Sequence, residues 1–384
     1  MSTLGPEQER LRPYPLYNAT LTLYRLSPLY RASTSPLLVN AALTQHAHHL
    51  KDLLAGEVLR GVRVGLAVAG DEGLARAGKL KGCRWKVLGD EASWIERERR
   101  LQQGANGTVG DIMEADEEEE FTPETIRGIH VEVEYEKITY MAVLLQDTSS
   151  LAVEEGHEFT HLPLLAMRMP GPLRETFLEY LSTAFDTHTS PLKLSSEFLI
   201  SSLERFLAEI TTPNQDDVDD ADEHTTQMLN SLKNTVRDLA VTLSFTTPVT
   251  PSLKSLDITI SKADVPGFIA YGKRLQQPSE STESPDGVSR RKRNQPTPIA
   301  ASGPFASALS QYTKTHLAFS LTHPDIAISK IACGAFALGA DGRVKIFSPV
   351  GLETAGEAPT RSHIATAGLL HGLIQRAEAV GGEA

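Results

Sequence analysis

Cysteine is nearly absent from these 384 residues, with only Cys83 and Cys333 present. Two distant thiols give neither a disulfide framework nor a CxxC metal or redox pair. They fit a reducing compartment in which both are small buried side chains. No apolar run is long enough for a membrane-spanning helix. The opening residues, MSTLGPEQERLRPYP, are charged and Pro-containing and lack the apolar core of a secretory leader. Without a secretory route, the N-x-T sequons at Asn18 and Asn106 read as chance matches. Catalytic signatures are missing as well. There is no G-x-S-x-G, no P-loop and no G-x-G-x-x-G following a strand. No cofactor is expected.

Apolar residues make up 40% of the chain, enough for a substantial core. The net charge of −12 is concentrated rather than spread. Six acids lie within 114–120 and six more within 216–223, while 278–293 holds three acids and four bases. Without these segments, 33 bases face 34 acids. Bulk charge therefore neither favours nor excludes nucleic acid. The acidic runs read as solvated, disordered spacers, or alternatively as lures for a basic partner. Residues 217–222, DVDDAD, lack the Gly and terminal Glu of a calcium loop.

Alternation predicts strands at Thr20–Leu26 and Cys83–Leu88, and a nearly all-apolar run predicts a central strand at Ile138–Leu145. Further strands are expected at Val58–Val68 (weak or bent by its glycines), Leu162–Met169 (short and buried), Leu239–Phe245, Leu256–Ile260 and Leu317–Leu321. In the strand around 129–136, Ile129, Val131, Val133 and Tyr135 face the core. His130, Glu132, Glu134 and Glu136 form a solvated opposite face. A hairpin is expected from one strand at Ile328–Leu338 and another at Arg343–Phe347, turning at Gly339–Gly342. Helices are expected at Pro36–Leu54, ended by Gly56, at about 91–102 after an Asp90 cap, and at Pro172–Phe185. Further helices follow a Ser195 or Ser196 cap to Ile210, a short piece at Met228–Thr235, Asp264 to about Tyr271, Pro304–Thr315 and Ile364–Ala379. His46, His48 and His49 read as solvated surface histidines on the first helix.

Strands in adjacent pairs, with helices between groups, indicate an α+β fold with a mainly antiparallel sheet backed by helices. The expected organisation is 1–102 as an N-terminal strand–helix–strand part, 103–120 as an acidic loop and 121–210 as a central hairpin plus two helices. After these come an acidic loop at 211–224, a strand pair and short helix at 225–275, a basic linker at 276–298 and a C-terminal unit at 299–384.

One segment carries a catalytic motif. His157-Glu158-Phe159-Thr160-His161 matches the H-E-x-x-H pattern of zinc peptidases. That chemistry needs both histidines one turn apart on a helix that continues past the second, with the Glu aimed at metal-bound water. Gly156 precedes the first His, and Pro163 follows the second by two residues and ends any helix there. No third ligand follows at either common spacing. The motif reads as the polar approach to a buried strand, with no metal.

Five segments taken together carry a resemblance: LYNATLTLYRLSPLY (16–30), GEVLRGVRVG (56–65), CRWKVLGDEASW (83–94), FTHLPLLAMRMPGPLRETFLEYLSTAFDTHTSPLKLSS (159–196) and LKSLDITISKADVPGF (253–268). They resemble the filamentous-fungal CENP-L family of inner-kinetochore subunits in the constitutive centromere-associated network. The resemblance implies a curved, saddle-like antiparallel sheet backed by helices and no enzymatic activity. It implies pairing with a CENP-N-like subunit, contacts with CENP-C-like and other network subunits, and a place in the nucleus at the centromere and kinetochore, near centromeric DNA.

Three sets of residues are expected to serve partners. Ile328, Ile331, Phe336, Val344, Ile346 and Phe347 mark a hairpin that is either an edge for partner-strand addition or an interior piece of the sheet. Lys262, Lys273 and Arg274 are candidate nucleic-acid contacts, with scattered surface charge as the alternative. Arg290, Arg291, Lys292 and Arg293 read as a nuclear-import signal or an ordinary charged linker.

Overall fold

The structure is a computed structural model that describes residues 12–31, 36–59, 76–104, 125–147, 158–212, 232, 235–245, 253–277, 303–349 and 360–379. Chain contacts divide it into two compact units. One is Met1–Leu192 with Glu353–Gly356 and Leu373–Ala384. The other is Lys193–Leu352 with Glu357–Gly372. The fold is α+β and every strand pairing described below is antiparallel, as the sequence pattern indicates.

The first unit contains strands β1 (Thr20–Leu26), β2 (Leu29–Tyr30), β3 (Leu80–Gly89), β4 (Ile126–Tyr135), β5 (Thr139–Leu145), β6 (Phe159–Thr160), β7 (Leu164–Arg168) and β8 (Thr189–Pro191). Its helices are α1 (Asn40–Leu59), α2 (Glu91–Gly104) and α3 (Gly171–Phe185). The sheet runs β3-β4-β5-β7-β1, β8 joins β1, and β2 pairs with β6 in a separate ribbon.

The hydrophobic pattern explains this layering. Trp85, Ile129, Val131, Val133, Ala142, Leu144, Leu165 and Met167 cover one face of the sheet. They pack against Leu43, Ala47, Leu50 and Leu54 of α1 and Leu173, Phe177, Leu181 and Phe185 of α3. Each Leu or Phe buried here contributes about 1.5–3 kcal/mol by apolar burial. At Gly128 (φ +151°) a Cβ would collide with the Leu144 carbonyl, so only glycine fits that point of β4.

Several sequence expectations change in this unit. α1 starts at Asn40 and runs through Gly56, so Val58 and Leu59 are helical and the strand expected from Val58 is displaced; 60–68 lie outside the described residues. His46 is half-buried rather than solvated. Its Nδ1 is 2.9 Å from the Tyr180 hydroxyl and its ring 4.6 Å from that of Phe185, because α3 packs along this face of α1. His130 is buried instead of solvated because α2 crosses the second face of the sheet, placing the Trp94 ring 5.9 Å away.

The second unit contains β9 (Leu239–Phe245), β10 (Ser255–Ile260), β11 (Ile326–Ala332), β12 (Phe336–Gly339) and β13 (Arg343–Ile346). Its helices are α4 (Ser196–Thr211), α5 (Val265–Gln276) and α6 (Pro304–His316); α7 (Arg361–Ala379) belongs to it through Gly372. The sheet order is β10-β9-β11-β12-β13. Ser195 caps α4 by accepting the Phe198 N–H at 3.2 Å. Leu199, Ile200, Leu203, Phe206, Leu207 and Ile210 turn inward from that helix.

The span read as one strand from Ile328 to Leu338 is two strands. The chain reverses at Cys333–Ala335, where the Cys333 N–H donates to Phe336 O at 2.8 Å. Gly334 permits the reversal, since a Cβ there would meet Thr235 O at 2.7 Å. Residues 317–321 are irregular rather than a strand, and Ala318 takes a left-handed φ of +56°. α5 runs to Gln276, beyond the expected stop near Tyr271. The helix expected at Met228–Thr235 lies almost wholly outside the described residues, as do both acidic runs.

Candidate partner interface

Glu158 to His161 do not form a helix. Phe159 and Thr160 are β6, with Tyr30 opposite Phe159 and Leu29 opposite Thr160. His161 Nδ1 lies 3.7 Å from Glu378 Oε1 on α7. His157 lies outside the described residues. A strand at Phe159–Thr160 stands where the motif needs a continuous helix up to and past His161. Among the described residues, no group of three His, Cys, Asp or Glu side chains is placed to hold a metal ion.

The six hairpin residues are gathered into the second unit. Ile328, Ile331, Phe336, Val344 and Ile346 are buried in its core, and Phe347 is half-buried with the Lys345 ammonium 4.8 Å from its ring centroid. Phe336 packs edge-on to Phe206 of α4 at 5.0 Å. β11 is flanked by β9 and β12, and β12 by β11 and β13. Both β11 and β12 thus lie between two neighbouring strands, the arrangement of the interior reading.

β10 is different, since among the described residues its ladder is with β9 alone. The Phe245 N–H donates to Lys254 O at 3.2 Å. Antiparallel alternation then turns the main-chain groups of Ser255, Asp257 and Thr259 away from β9. These three residues are exposed, while Ile258 and Ile260 are buried. β3, at the corresponding end of the first unit's sheet, carries Lys81, Arg84 and Lys86, the kind of charge that blunts an edge. Arg84 there pairs with Glu132 at 3.2 Å and Glu134 at 3.4 Å.

Lys262, Lys273 and Arg274 are all exposed. Lys262 follows β10, and the other two occupy the last turn of α5. The Lys262 N–H donates to Asp238 Oδ1 at 3.2 Å. The Arg274 guanidinium carbon is 5.8 Å from the Tyr271 ring centroid. Arg290 to Arg293 lie outside the described residues.

One residue that sequence reasoning passed over joins this region together. Glu204 of α4 is buried, and its Oε1 accepts the Ala306 N–H at 2.6 Å at the start of α6. Burial pushes its carboxyl above the ordinary range, and hydrogen bonds from Ala306 and Phe305 pull the other way. The carboxylate also fills the space where a Cβ of Gly303 would stand. α6 thus takes its N-terminal cap from α4. The sequence signal was a lone Glu between Leu203 and Phe206 of an apolar stripe.

A family model described as CENP-L, centromere protein L, matches residues 15–378, nearly the whole chain. No curated protein matches it.

Proposed function

The chain belongs to the centromere protein L family and is thus a centromere and kinetochore protein; from that premise we propose a non-enzymatic scaffold subunit of the inner kinetochore. In this reading it works in the nucleus, heterodimerises with a CENP-N-like subunit, meets CENP-C-like and other network subunits, and supports kinetochore assembly and chromosome segregation. The observation that carries the reading is the family match across 15–378. The strand at Phe159–Thr160 supports the non-enzymatic part, because it interrupts the helix that the one motif with a catalytic mechanism needs.

The β10 edge is the docking point we assign to the partner. Its outward main-chain groups at Ser255, Asp257 and Thr259 suit an added antiparallel strand. Co-expression with a CENP-N-like subunit followed by size-exclusion chromatography is the test. One stable complex at micromolar concentration is expected, and separate migration of the two proteins sinks the reading. Thr259→Pro removes an outward N–H while leaving the β9 pairing in place. This substitution weakens the complex with little change in Tm of the isolated chain. Unchanged affinity would move the interface elsewhere.

A further inference from the structure

α5 and α6 present a strip that neither the unit's core nor the β10 edge uses. Phe268 stands with its ring 5.9 Å from that of the buried Phe305 and 5.8 Å from that of Tyr312. Tyr312 continues to His316 at 4.7 Å. Tyr271 and Leu275 follow Phe268 by three and seven residues and so share its side of α5. Tyr271 is 41% exposed, Leu275 45% and Tyr312 38%. Three large apolar side chains left in solvent on two packed helices form a patch of the kind that marks interaction sites.

The two helices also carry one sign of charge. Neither 265–277 nor 303–317 contains an Asp or Glu, while Lys273, Arg274, Lys314 and His316 lie on the two helices. Asp264 accepts from Ser261 Oγ at 2.8 Å, and Glu204 is turned inward to the start of α6. Arg274 over Tyr271 sets a cation directly above the apolar surface.

We propose that this strip docks an acidic segment of another protein, one in which aliphatic or aromatic anchors interrupt a run of carboxylates. The anchors cover Tyr271, Leu275 and Tyr312, and the carboxylates meet the Arg274 guanidinium over Tyr271 and the His316 ring beside Tyr312. A duplex nucleic acid satisfies only half of this surface, because phosphates neutralise cations but leave the apolar side chains in water. Arg274, a candidate phosphate contact by sequence, takes a peptide carboxylate instead. The site stands whether or not β10 receives a partner strand.

The test is fluorescence anisotropy on the purified full chain with three labelled probes. These are an acidic peptide in which Leu and Phe interrupt a run of Glu, the same peptide with Ser replacing Leu and Phe, and a short DNA duplex. The first probe binds, and the Ser version binds about tenfold or more weakly, as anchor loss requires. Tyr271→Ala combined with Leu275→Ser lowers affinity for the first probe by a similar factor with Tm unchanged, since both residues are exposed. Equal binding of the two peptides, undiminished binding by the double variant, or binding of the duplex alone overturns the proposal.

Discussion

His130 shows how a single side chain sets the acid response of the first unit. Burial beneath α2 pushes its imidazole down to about 4 from 6.5. The folded state holds the ring neutral, while the unfolded chain protonates it near its ordinary value. The stability tied to His130 is therefore complete above pH 6.5 and is lost as pH falls toward 4, amounting to roughly 3 kcal/mol. Glu91 works in the opposite direction. Burial raises its carboxyl to about 6 despite the hydrogen bond from the Tyr17 hydroxyl, so the fold favours its protonated form and loses that advantage as pH rises from 4.5 to 6. Tm measured at pH 7 and pH 5 separates the two. His130→Leu shrinks or reverses the acid loss, whereas Glu91→Gln deepens it. The thiols give a second residue-scale prediction. Burial pushes Cys83 up to about 12 and Cys333 up to about 11. The folded protein therefore resists a thiol reagent at pH 8, and both thiols react once it is denatured. Rapid labelling of the native protein contradicts this placement. The burial of both cysteines was legible in their scarcity. The burial of His130 was not, because the alternation of β4 shows which residues share a face but not whether a helix covers it.

At the scale of elements, the backbones of α5 and α6 come into close approach at one small residue. A Cβ on Gly272 would run into the backbone of Pro304. Gly272→Ala therefore forces the helices apart and costs about 1–3 kcal/mol, the usual range for overpacking. Gly267→Ala, on the same helix with open space around it, is the control and stabilises by about 0.5–1 kcal/mol through helix propensity. A urea titration of both variants distinguishes a specific close approach from a general effect of losing glycine. Most strands and helices were readable because they carry periodic apolar stripes, as in α3 and α4. The failures have local causes. Gly56 lies inside α1 because packing of Leu43, Ala47, Leu50 and Leu54 outweighs the local cost of one glycine. Cys333–Ala335 hid a reversal because its residues are small and apolar and look like more strand.

For the whole molecule, composition and pattern reached the α+β class and its antiparallel pairing, and extended resemblance reached the family. They did not separate edge strands from interior ones. Ile328 and Ile331 look as eligible for partner-strand addition as any β-rich segment until β9 is found lying between β10 and β11. That order depends on long-range pairing, which no short window of sequence contains. The junction of α5 with α6 has a consequence for how the chain can be divided. Gln276 Nε2 donates to Ser307 Oγ at 3.0 Å, and β9 pairs with β11, so contacts join the parts on either side of 278–302 without help from that segment. The protein is therefore a natural split pair. Two polypeptides, one ending at Gln277 and one starting at Gly303, co-expressed in one cell, will reassemble and co-purify. A reporter divided between those two new ends would light up only where the second unit has folded.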